Sequence, residues 1–386
     1  MNRTIDRRDF LRMGGLAWLA SRGPRPTRQS ALSGGRLLGT LQLGGEGAQP
    51  PPPFGTVLGS GLDARLFADL STLTTDTLIT PSDRFFVRTT CPATLSSDRP
   101  WTIQLGGLVR TPVGVALGAL ADLVRPMGTH VLECSGNTDP TNFGLMSAAQ
   151  WDGVPLAAVL DRITPQPGAG RIEVSGVDDL TKFSLTSVPG ASWIFSRDDL
   201  DRAGAFLATR MNGSPLPRDH GAPVRLVVPG WYGCTCIKWV DRIDLVADDA
   251  RATPQMMEFA RRTHQDGVPT RAREFTPAVI DAAAMPVRVE KWTAAGGVIY
   301  RIVGVLWGGS RSTNALLIRF KANQPWVKVD DCPMPASPTN WTLWSHLWKP
   351  QTAGRYQIVL RVDDPAVRTR RLDVFFYTRE VTVDQV

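Results

Sequence analysis

The sequence predicts an α+β body followed by an all-β body, with a basic N-terminal segment and a linker in front of them. Two changes in pattern along the 386 residues support this prediction. Between about residues 70 and 250, strand-like apolar runs are mixed with short amphipathic runs, whereas after about residue 276 helical periodicity almost disappears. With 42% hydrophobic and 20% charged residues, the chain has enough apolar side chains for packed cores, which excludes wholesale disorder.

In the first body, several apolar runs have the character of strands. These runs are Trp101–Val109, His130–Cys134, Arg171–Val177, Val224–Val228 and Ile237–Val246. The spacing of apolar residues predicts short helices over Ala119–Val124 and Leu156–Ile163. Because helices of about 10–15 residues do not regularly follow the strands, the pattern indicates an α+β fold.

In the second body, short strand-like runs are separated by turn signals. They are Val287–Lys291, Val298–Leu306, Ala315–Lys321, Trp326–Val329, Tyr356–Val362 and Leu372–Tyr377. Six or seven such runs in about 110 residues fit an immunoglobulin-like β-sandwich. Several tryptophans in this region have no basic groove beside them, so we predict that they are core or interface anchors rather than a platform for stacking bases: Trp307, Trp326, Trp341, Trp344 and Trp348.

The formal net charge of +7 lies almost entirely in residues 1–36, where eight arginines face only Asp6 and Asp9. The remainder of the chain is therefore nearly neutral. A protein that binds nucleic acid through a folded domain needs a basic footprint on that domain. We therefore expect no nucleic acid among the partners.

The same basic segment has the layout of an export signal. The pair Arg7-Arg8 is followed by Phe10-Leu11 and by a short apolar run, Met13–Ala20, which is too short to span a bilayer that needs about 20 apolar residues. The segment resembles a twin-arginine export signal, which implies a protein that is periplasmic or otherwise exported by that route. The alternative is a disordered basic tail.

The predicted organisation has five parts. A Gly/Pro-rich stretch that includes Pro50–Pro53 reads as a linker, because such a composition cannot bury a core. The parts are an export segment at 1–36, the linker at 37–69, the first body at 70–250, a connector at 251–275 and the second body at 276–386.

Among residues that could perform chemistry, Cys134 has the most distinctive surroundings. The four histidines form no paired motif and the five cysteines no zinc-finger spacing, so a conventional zinc or non-haem iron site is not supported. Cys134 ends an apolar strand and enters the turn Ser135–Asn137. A cysteine there can present its sulfur to a cavity, either as a nucleophile or as a thiolate ligand of a soft metal. It can equally be a buried structural thiol, whereas Cys234 and Cys236 read as packing cysteines.

Several short motifs around Cys134 occur in an order that is typical of one family. They are Phe85–Arg88, Glu133–Asn137, Gly144–Trp151, Met211–Gly213, Pro217–Arg225 and Pro229–Gly233, followed by Lys238-Trp239. Together they resemble the sulfite oxidase family of molybdenum-cofactor enzymes over about residues 75–250. Val305–Gly309 resembles the dimerisation domain of that family. The resemblance implies an α+β molybdopterin-binding domain of the sulfite oxidase type before the immunoglobulin-like sandwich, and a homodimer formed through the latter.

The resemblance also assigns roles to individual residues. Cys134 matches the thiolate that binds molybdenum, and Arg88 matches the arginine beside the metal's oxo groups, where a permanent cation stabilises developing negative charge. Other positions match residues that hold the molybdopterin: His220, Arg225 and Lys238 for the pterin and its phosphate, Asp178 for the pterin ring, and the segments Phe86, Val87, Thr89, Thr90 and Cys236, Ile237 for the rest of the slot.

The chain departs from the family where the substrate binds. Thr138-Asp139 stands where sulfite oxidases carry two arginines, and Thr89 and Thr90 replace an asparagine and a histidine. The active-site tryptophan before Gly144 is missing, and so is the active-site tyrosine, for which Phe259 and His264 are the nearby candidates. Because an acid now stands where a cation helped to bind a dianion, these departures indicate a substrate other than sulfite.

The sequence therefore predicts a two-electron oxygen-atom transfer on a small molecule, a sulfur or nitrogen oxo species, with His264 as a candidate proton donor. No segment remains for the haem domain of the animal enzymes, so we expect an external electron-transfer partner. Three alternatives stay open at this point: an envelope S- or N-oxide reductase on the same cofactor, a cofactor-free envelope binding protein, and a cysteine hydrolase.

Overall fold

The computed structural model describes residues 32, 34–44, 52–95, 100–138, 143–182, 184, 186–374 and 377–386. Most of the predicted export segment, residues 1–36, lies outside this part of the chain and stays a prediction. Within the described ranges, no helix has both the length and the apolar character needed to cross a membrane.

The strands of the first body are numbered in chain order after β1 (Arg36–Leu41), which belongs to the second body. They are β2 (Arg65–Leu66), β3 (Val87–Arg88), β4 (Thr102–Gly107), β5 (Val113–Ala116), β6 (Arg125–Glu133), β7 (Met146–Pro155), β8 (Ala169–Gly176), β9 (Ser192–Phe195), β10 (Phe206–Met211), β11 (Ser214–Pro215), β12 (Arg225–Val227) and β13 (Val240–Ala247). The α-helices are α1 (Leu156–Leu160), α2 (Arg197–Ala203) and α3 (Pro254–Phe259). Single 3₁₀ turns lie at Gly61–Asp63, Leu70–Thr72, Arg218–His220, Gly233–Thr235, Arg261–Thr263 and Ala272–Glu274, and a longer 3₁₀ segment at Leu117–Leu123.

Two five-stranded sheets make up most of the first body. One has the order β5-β4-β13-β8-β9, in which β4 and β13 are parallel. The other has the order β11-β10-β7-β6, with β12 also paired to β10. A separate two-stranded sheet of β2 and β3 places Arg65 opposite Arg88. Alternate residues of β8 and β13, such as Val174 and Ile243, are fully buried, as expected for strands that send every second side chain into a core.

The predicted strands of the first body are confirmed, but its helical content is lower than an α+β fold implies. The helix expected over Leu156–Ile163 ends at Leu160, and the one expected over Ala119–Val124 is the 3₁₀ segment Leu117–Leu123. Helix α2 shows why the helices are short. The Ser196 hydroxyl caps its first turn, and Gly204, in the left-handed conformation with φ 65°, ends it after seven residues.

The second body consists of two antiparallel four-stranded sheets. Its remaining strands are β14 (Ala283–Ala294), β15 (Gly297–Trp307), β16 (Leu316–Arg319), β17 (Val327–Lys328), β18 (Trp341–Trp348), β19 (Gly354–Val362) and β20 (Arg379–Val383). The sheet orders are β1-β14-β15-β18 and β17-β16-β19-β20. All the tryptophans predicted as anchors are buried except Trp326, which lies half-buried against Arg319 and Arg361. The immunoglobulin-like classification of these sheets remains a prediction.

One strand prediction for the second body is wrong, and two strands were not predicted. Among its described residues, Leu372–Tyr377 contains no strand, and the last strand is β20 instead. Strand β18 was not predicted at all. Six of its eight residues are buried, on both faces of the strand, so its sequence lacks the alternation that marks a strand with one wet face.

The interpretation of residues 37–69 as a linker is wrong for two stretches. Strand β1 pairs antiparallel with β14, from Arg36 opposite Thr293 to Leu41 opposite Val289. Further along, Leu62 and Leu66 are buried. Because β1 is held by backbone hydrogen bonds at the edge of its sheet and its side chains are mostly exposed, it needs no hydrophobic pattern.

The two bodies share one hydrophobic core. Val131 on β6, Met146 and Ala148 on β7, and Tyr232 all belong to the cluster that contains Trp307 of the second body. The end of β6, where Cys134 follows, is therefore packed between the first body and the second. This arrangement determines what surrounds the cysteine.

Candidate active site

A cleft of about 900 Å³, partly open to solvent, lies beside the end of β6 in the first body. Among the predicted site residues, Val87 and Thr90 do not line it: Val87 is buried, and the Thr90 hydroxyl accepts a hydrogen bond from the Gly61 amide. All the others do: Phe86, Arg88, Thr89, Cys134, Asp178, His220, Arg225, Cys236, Ile237 and Lys238. The structure thus brings together residues that are far apart in sequence, while their roles remain predictions.

Cys134 presents its sulfur to this cleft from a tight turn. Its amide donates to the Leu145 carbonyl at 2.9 Å, and its own carbonyl accepts from the Asn137 amide at 2.9 Å. The Gly136 amide donates to Sγ at 3.4 Å. Burial raises the pKa of the Cys134 thiol, while Arg88 opposes that shift. A thiol in this position needs a nearby positive charge, such as a bound metal, to be held as a thiolate.

Arg88 approaches the cleft from the short strand β3. Its guanidinium donates to the Leu62 carbonyl and, at 3.4 Å, to the Thr89 hydroxyl. Burial lowers the pKa of Arg88, and the nearby Cys134 and Glu258 oppose that shift. Thr89 adopts φ 81°, which is unusual for a β-branched residue. The strained backbone at Thr89 turns the chain so that its carbonyl faces the Lys238 ammonium.

The deepest part of the cleft carries buried cations without carboxylate partners among the described residues. Lys238 donates to the carbonyls of Arg88 and Asp219, at 3.2 and 2.8 Å. Arg225 donates to the carbonyls of His220 and Cys236, both at 3.1 Å, and its buried Nε has no partner in the part of the chain that is described. Neutral carbonyls satisfy these donors only in part, because a buried charge is costly unless it is paired. An anionic group such as a phosphate would complete the set.

Burial lowers the pKa values of all three of these groups. Burial lowers the pKa of Arg225 to about 10. The pKa of Lys238 falls well below its usual range through burial and through the charge of Arg225. Burial and the nearby Lys238 lower the pKa of His220 to about 4. A bound phosphate would reverse the electrostatic part of each shift, which fits the donor set to a phosphorylated cofactor.

Glycines allow the backbone to close around these cations. Gly221 has φ 107°, and a β-carbon there would lie 2.9 Å from the Arg225 Cβ. At Gly176, which ends β8, a β-carbon would lie 2.0 Å from the Lys238 carbonyl oxygen. Both positions therefore require glycine for close backbone approach.

The described residues between Asp178 and Gly190 border the cleft, and carboxylates hold them largely in place. Asp178, predicted to accept from the pterin ring, accepts from the Gly190 amide at 2.7 Å through one oxygen and from the Asp179 amide at 2.8 Å through the other. Glu258 on α3 accepts from the Val188 amide at 3.0 Å. Asp63 accepts from the Ser184 hydroxyl at 2.7 Å. Asp178 thus closes its own loop while its side chain lines the cleft.

Two arginines that the sequence did not predict lie near Cys134. Arg65 is the strand partner of Arg88, and burial and the charge of Arg88 lower its pKa to about 10. Arg262 lies over the Phe259 ring at 5.6 Å, and its Nη1 is 3.5 Å from the point where a Gly136 β-carbon would be. Neither arginine belongs to a recognisable motif, because Arg65 falls in the predicted linker and Arg262 in the predicted connector.

Of the two candidates for the missing tyrosine, only Phe259 lines the cleft. The prediction of His264 as a proton donor there is not supported. His264 is exposed, adopts φ 61°, and its Nε2 lies 3.1 Å from the Tyr232 hydroxyl instead. Asp139, which stands where the family carries an arginine, lies outside the described residues.

Other lining residues were missed by reasoning from the sequence. They are Leu62, Phe85, Ser187, Val188, Ala191, Asp219, Gly233, Cys234, Trp239 and Gln255. Phe85, Asp219 and Trp239 lie within the recognised motifs, so their positions could have been included. Cys234 and Cys236, interpreted as packing residues, are free thiols whose pKa values burial raises. Within the described ranges no group of three or more His, Cys, Asp or Glu side chains could hold a metal ion.

Comparison with known proteins identifies a domain and several similar proteins. Residues 90–253 match the oxidoreductase molybdopterin binding domain. Mitochondrial sulfite oxidase of Macaca fascicularis is 28% identical over 310 residues, which cover 74% of this chain and 56% of the relative. The NADPH nitrate reductase of Fusarium oxysporum is 30% identical over 161 residues, which cover 38% of this chain and 17% of the relative. The chain thus spans about half the length, or less, of these curated relatives.

A solved structure supports the fold. The crystal structure of the sulfane dehydrogenase SoxCD from Paracoccus pantotrophus has a TM-score of 0.61 to this chain, with 89% of this chain and 90% of that chain covered and 19% sequence identity. This likeness concerns the fold alone. A cleft that brings together a cysteine and buried cations is consistent with the matched domain, with the similarity to sulfite oxidases and with this fold. Residues 90–253 thus carry an oxidoreductase molybdopterin binding domain, and over 74% of its length the chain is similar to a sulfite oxidase.

Proposed function

We propose that the chain is a molybdenum-cofactor-dependent enzyme that transfers an oxygen atom to or from a small molecule in a two-electron reaction. The observation that carries this proposal is the convergence, in one cleft, of the Cys134 sulfur, Arg88 and buried cations that lack carboxylate partners in the described chain. A metal-binding thiol at one end and a phosphate-binding group at the other fit a molybdopterin that carries its metal at one end.

The residues of the cleft would hold the cofactor in distinct ways. Cys134 would bind the molybdenum, and His220, Arg225 and Lys238 would bind the phosphate and pterin through hydrogen bonds and charge. When bound, the cofactor supplies the two-electron exchange and the transferable oxygen. Arg88 would orient an oxo substrate and stabilise negative charge that develops beside it.

The substrate pocket differs from that of the sulfite oxidases. Arg65 and Arg262 lie near Cys134, and neither belongs to the Thr138-Asp139 sequence that departs from the family pattern. Their charges favour an anionic sulfur or nitrogen oxo substrate over a cation or a large apolar molecule. Phe259, in place of a tyrosine, offers no proton, so we propose that solvent rather than this residue exchanges protons with the bound substrate.

Partners and location are proposed from the sequence. We propose export by the twin-arginine route, an external electron-transfer partner, and a homodimer formed through the second body.

The reverse reaction, reduction of an S- or N-oxide, uses the same residues. The apolar side chain of Phe259 in the cleft wall favours this reduction when the oxide is neutral.

The decisive variant is Cys134→Ser. We expect turnover of sulfur and nitrogen oxo compounds to fall by at least about a thousandfold, because the metal loses the thiolate proposed to bind it. The loss should appear both with artificial electron acceptors and with artificial electron donors. Assays in both directions with the wild-type protein distinguish oxidation from oxide reduction.

The matched control is Cys332→Ser, which changes a half-buried thiol of the second body. It should retain wild-type rates. Full activity in Cys134→Ser, with the circular dichroism spectrum of the wild type, would refute the proposed role of the cysteine.

A further inference from the structure

We propose that Arg370 of the second body positions Cys134 by clamping the neighbouring residue, Glu133, so that the C-terminal body forms part of the active site. The inference rests on the proposed function, in which Cys134 binds the metal. Arg370 is a positioning residue in this proposal, because it contacts Glu133 rather than the cleft.

The clamp is a fork of charged hydrogen bonds. Arg370 Nη1 donates to Glu133 Oε1 at 2.7 Å, and Nη2 donates to Oε2 at 2.6 Å. The Trp307 indole adds a third donor to Oε2, at 2.8 Å. The Glu133 side chain is 1% exposed and that of Arg370 is 8% exposed. A buried, bidentate guanidinium–carboxylate pair fixes both distance and orientation.

The strand geometry transmits this constraint to the cysteine. Successive residues of a strand point to opposite faces, so Glu133, the last residue of β6, turns toward the second body where Cys134 turns toward the cleft. The chain leaves the sheet immediately after Glu133 and enters the turn that presents the sulfur. On the cleft side, the Glu133 carbonyl packs against Gly233, where a β-carbon would lie 3.2 Å from it. The clamp therefore fixes Glu133, the residue that directly precedes the cysteine.

Arg370 is itself rigidly placed. Its amide donates to the Ala282 carbonyl at 2.9 Å. Its guanidinium lies over the rings of Tyr232, Trp307 and Tyr377, at 5.4, 5.6 and 6.0 Å, and donates to the Tyr377 hydroxyl at 2.8 Å. Tyr232 comes from the first body and Trp307 from the second, so the arginine occupies the shared core. A rigid partner on the second body can define a position on the first.

A gain in stability is not a sufficient reason for a protein to bury an ion pair. Replacement of such a pair by uncharged side chains of similar volume is often neutral, whereas loss of one partner leaves a buried charge. The better-attested use of a buried pair is to specify a geometry. Here the geometry that it specifies is that of the residue next to the thiol.

The test replaces both partners at once. The double variant Glu133→Gln/Arg370→Met removes both charges but keeps an oxygen for the Trp307 indole. In cofactor-free protein, the rate at which iodoacetamide alkylates Cys134 is measured by peptide mass spectrometry, with Cys332 as the internal reference. We expect the rate to rise about tenfold, because the residue opens locally more often, and the molybdenum retained after dialysis of loaded protein to fall.

The control uses another largely buried arginine–glutamate pair that also carries an indole donor. Glu290 accepts from Arg288 at 2.7 Å and from the Trp292 indole at 3.0 Å, within the second body. The double variant Glu290→Gln/Arg288→Met should leave the Cys134 alkylation rate unchanged. If the Glu133/Arg370 double variant does not fold, Arg370→Lys keeps the charge but not the fork, and we expect a smaller rise in the same rate.

Wild-type alkylation of Cys134 in the folded double variant, or in Arg370→Lys, would overturn the proposal. An equal rise in the control variant would also overturn it, since the effect would then belong to buried pairs in general. Alkylation is measured without cofactor, so a wild-type chain that binds no molybdenum would refute the proposed function and still give a result on the clamp.

Discussion

At the scale of single residues, the cleft concentrates groups that are costly to bury. His220 Nε2 donates to the Ser82 carbonyl at 2.9 Å, and the imidazole contacts the Phe85 ring edge-on. It lies near the charges of Lys238 and Arg225, which both disfavour the imidazolium. The residue is therefore held neutral, and the charge of the site comes from the lysine and the arginine.

This burial predicts an acid sensitivity of the cofactor-free protein. The pKa of His220 falls from 6.5 to about 4 on folding, so the unfolded chain binds this proton first as the pH falls. The contribution is fully present above pH 6.5 and is lost as the pH falls to about 4, a difference of about 3 kcal/mol in the free energy of unfolding.

His220→Gln should remove this dependence, because glutamine does not titrate and its amide can still donate to the Ser82 carbonyl. Urea unfolding of both proteins at pH 7.5 and pH 4 measures the effect. The wild type should lose about 3 kcal/mol more than the variant between the two values. Equal losses would mean that His220 is not held neutral by its surroundings.

The site residues differ in how far the sequence could predict them. Cys134, Arg88 and Lys238 stand in ordered motifs, so their meeting in one cleft could be predicted. Arg65 and Arg262 could not, because each comes from a segment without a motif and only the strand pair β2–β3 and the turn after α3 bring them near the cysteine. His264 was predicted because it lies near the position in the sequence where the family carries a tyrosine. Position in the sequence does not determine the direction in which a side chain points.

At the scale of elements, the cleft depends on two backbones that approach closely. Gly176 ends β8 where the segment before β13 passes, with the Lys238 carbonyl directly against its Cα. Any side chain at residue 176 would push away the backbone of Lys238, which is one of the proposed phosphate ligands. This contact links the end of a strand to the geometry of the site.

Gly176→Ala should therefore lower the free energy of unfolding by about 1–3 kcal/mol, the usual cost of overpacking, and should also reduce cofactor content. Gly118→Ala is the matched control, because no atom lies within 4 Å of a β-carbon built there. Thermal and urea unfolding of the two variants compare them. A loss of stability in Gly118→Ala as large as in Gly176→Ala would contradict the steric explanation.

Two of the strands that the sequence missed, β18 and β1, lack the alternation that marks a half-buried strand. Strand β18 is buried on both faces, and β1 is an exposed edge strand held by its backbone, so neither shows the alternation of polar and apolar residues. Strands β8 and β13, each with one buried face, were predicted. Periodicity reports burial on one face, and it fails where both faces or neither face is buried.

At the scale of the whole molecule, the two bodies share a core and the Glu133–Arg370 pair. Val131, Met146 and Tyr232 would be exposed if the second body unfolded alone. The apolar area thus exposed opposes independent unfolding of the second body.

We therefore predict one cooperative unfolding transition for the cofactor-free protein. Tryptophan fluorescence, to which both bodies contribute, and far-UV circular dichroism should each show a single transition with the same urea midpoint. Two separated midpoints would mean that the bodies unfold as independent units, and that the shared core contributes little to their association.

The central claim is that this chain binds a molybdenum cofactor in the cleft beside Cys134. The most direct test is the molybdenum and pterin content of the purified wild-type protein, produced in a host that is supplied with molybdate. The proposed function predicts about one molybdenum and about one pterin per chain, with the pterin content reduced in Arg225→Met. Less than about a tenth of a molybdenum per chain, with no pterin, would contradict the claim and favour a binding protein that has kept only the scaffold.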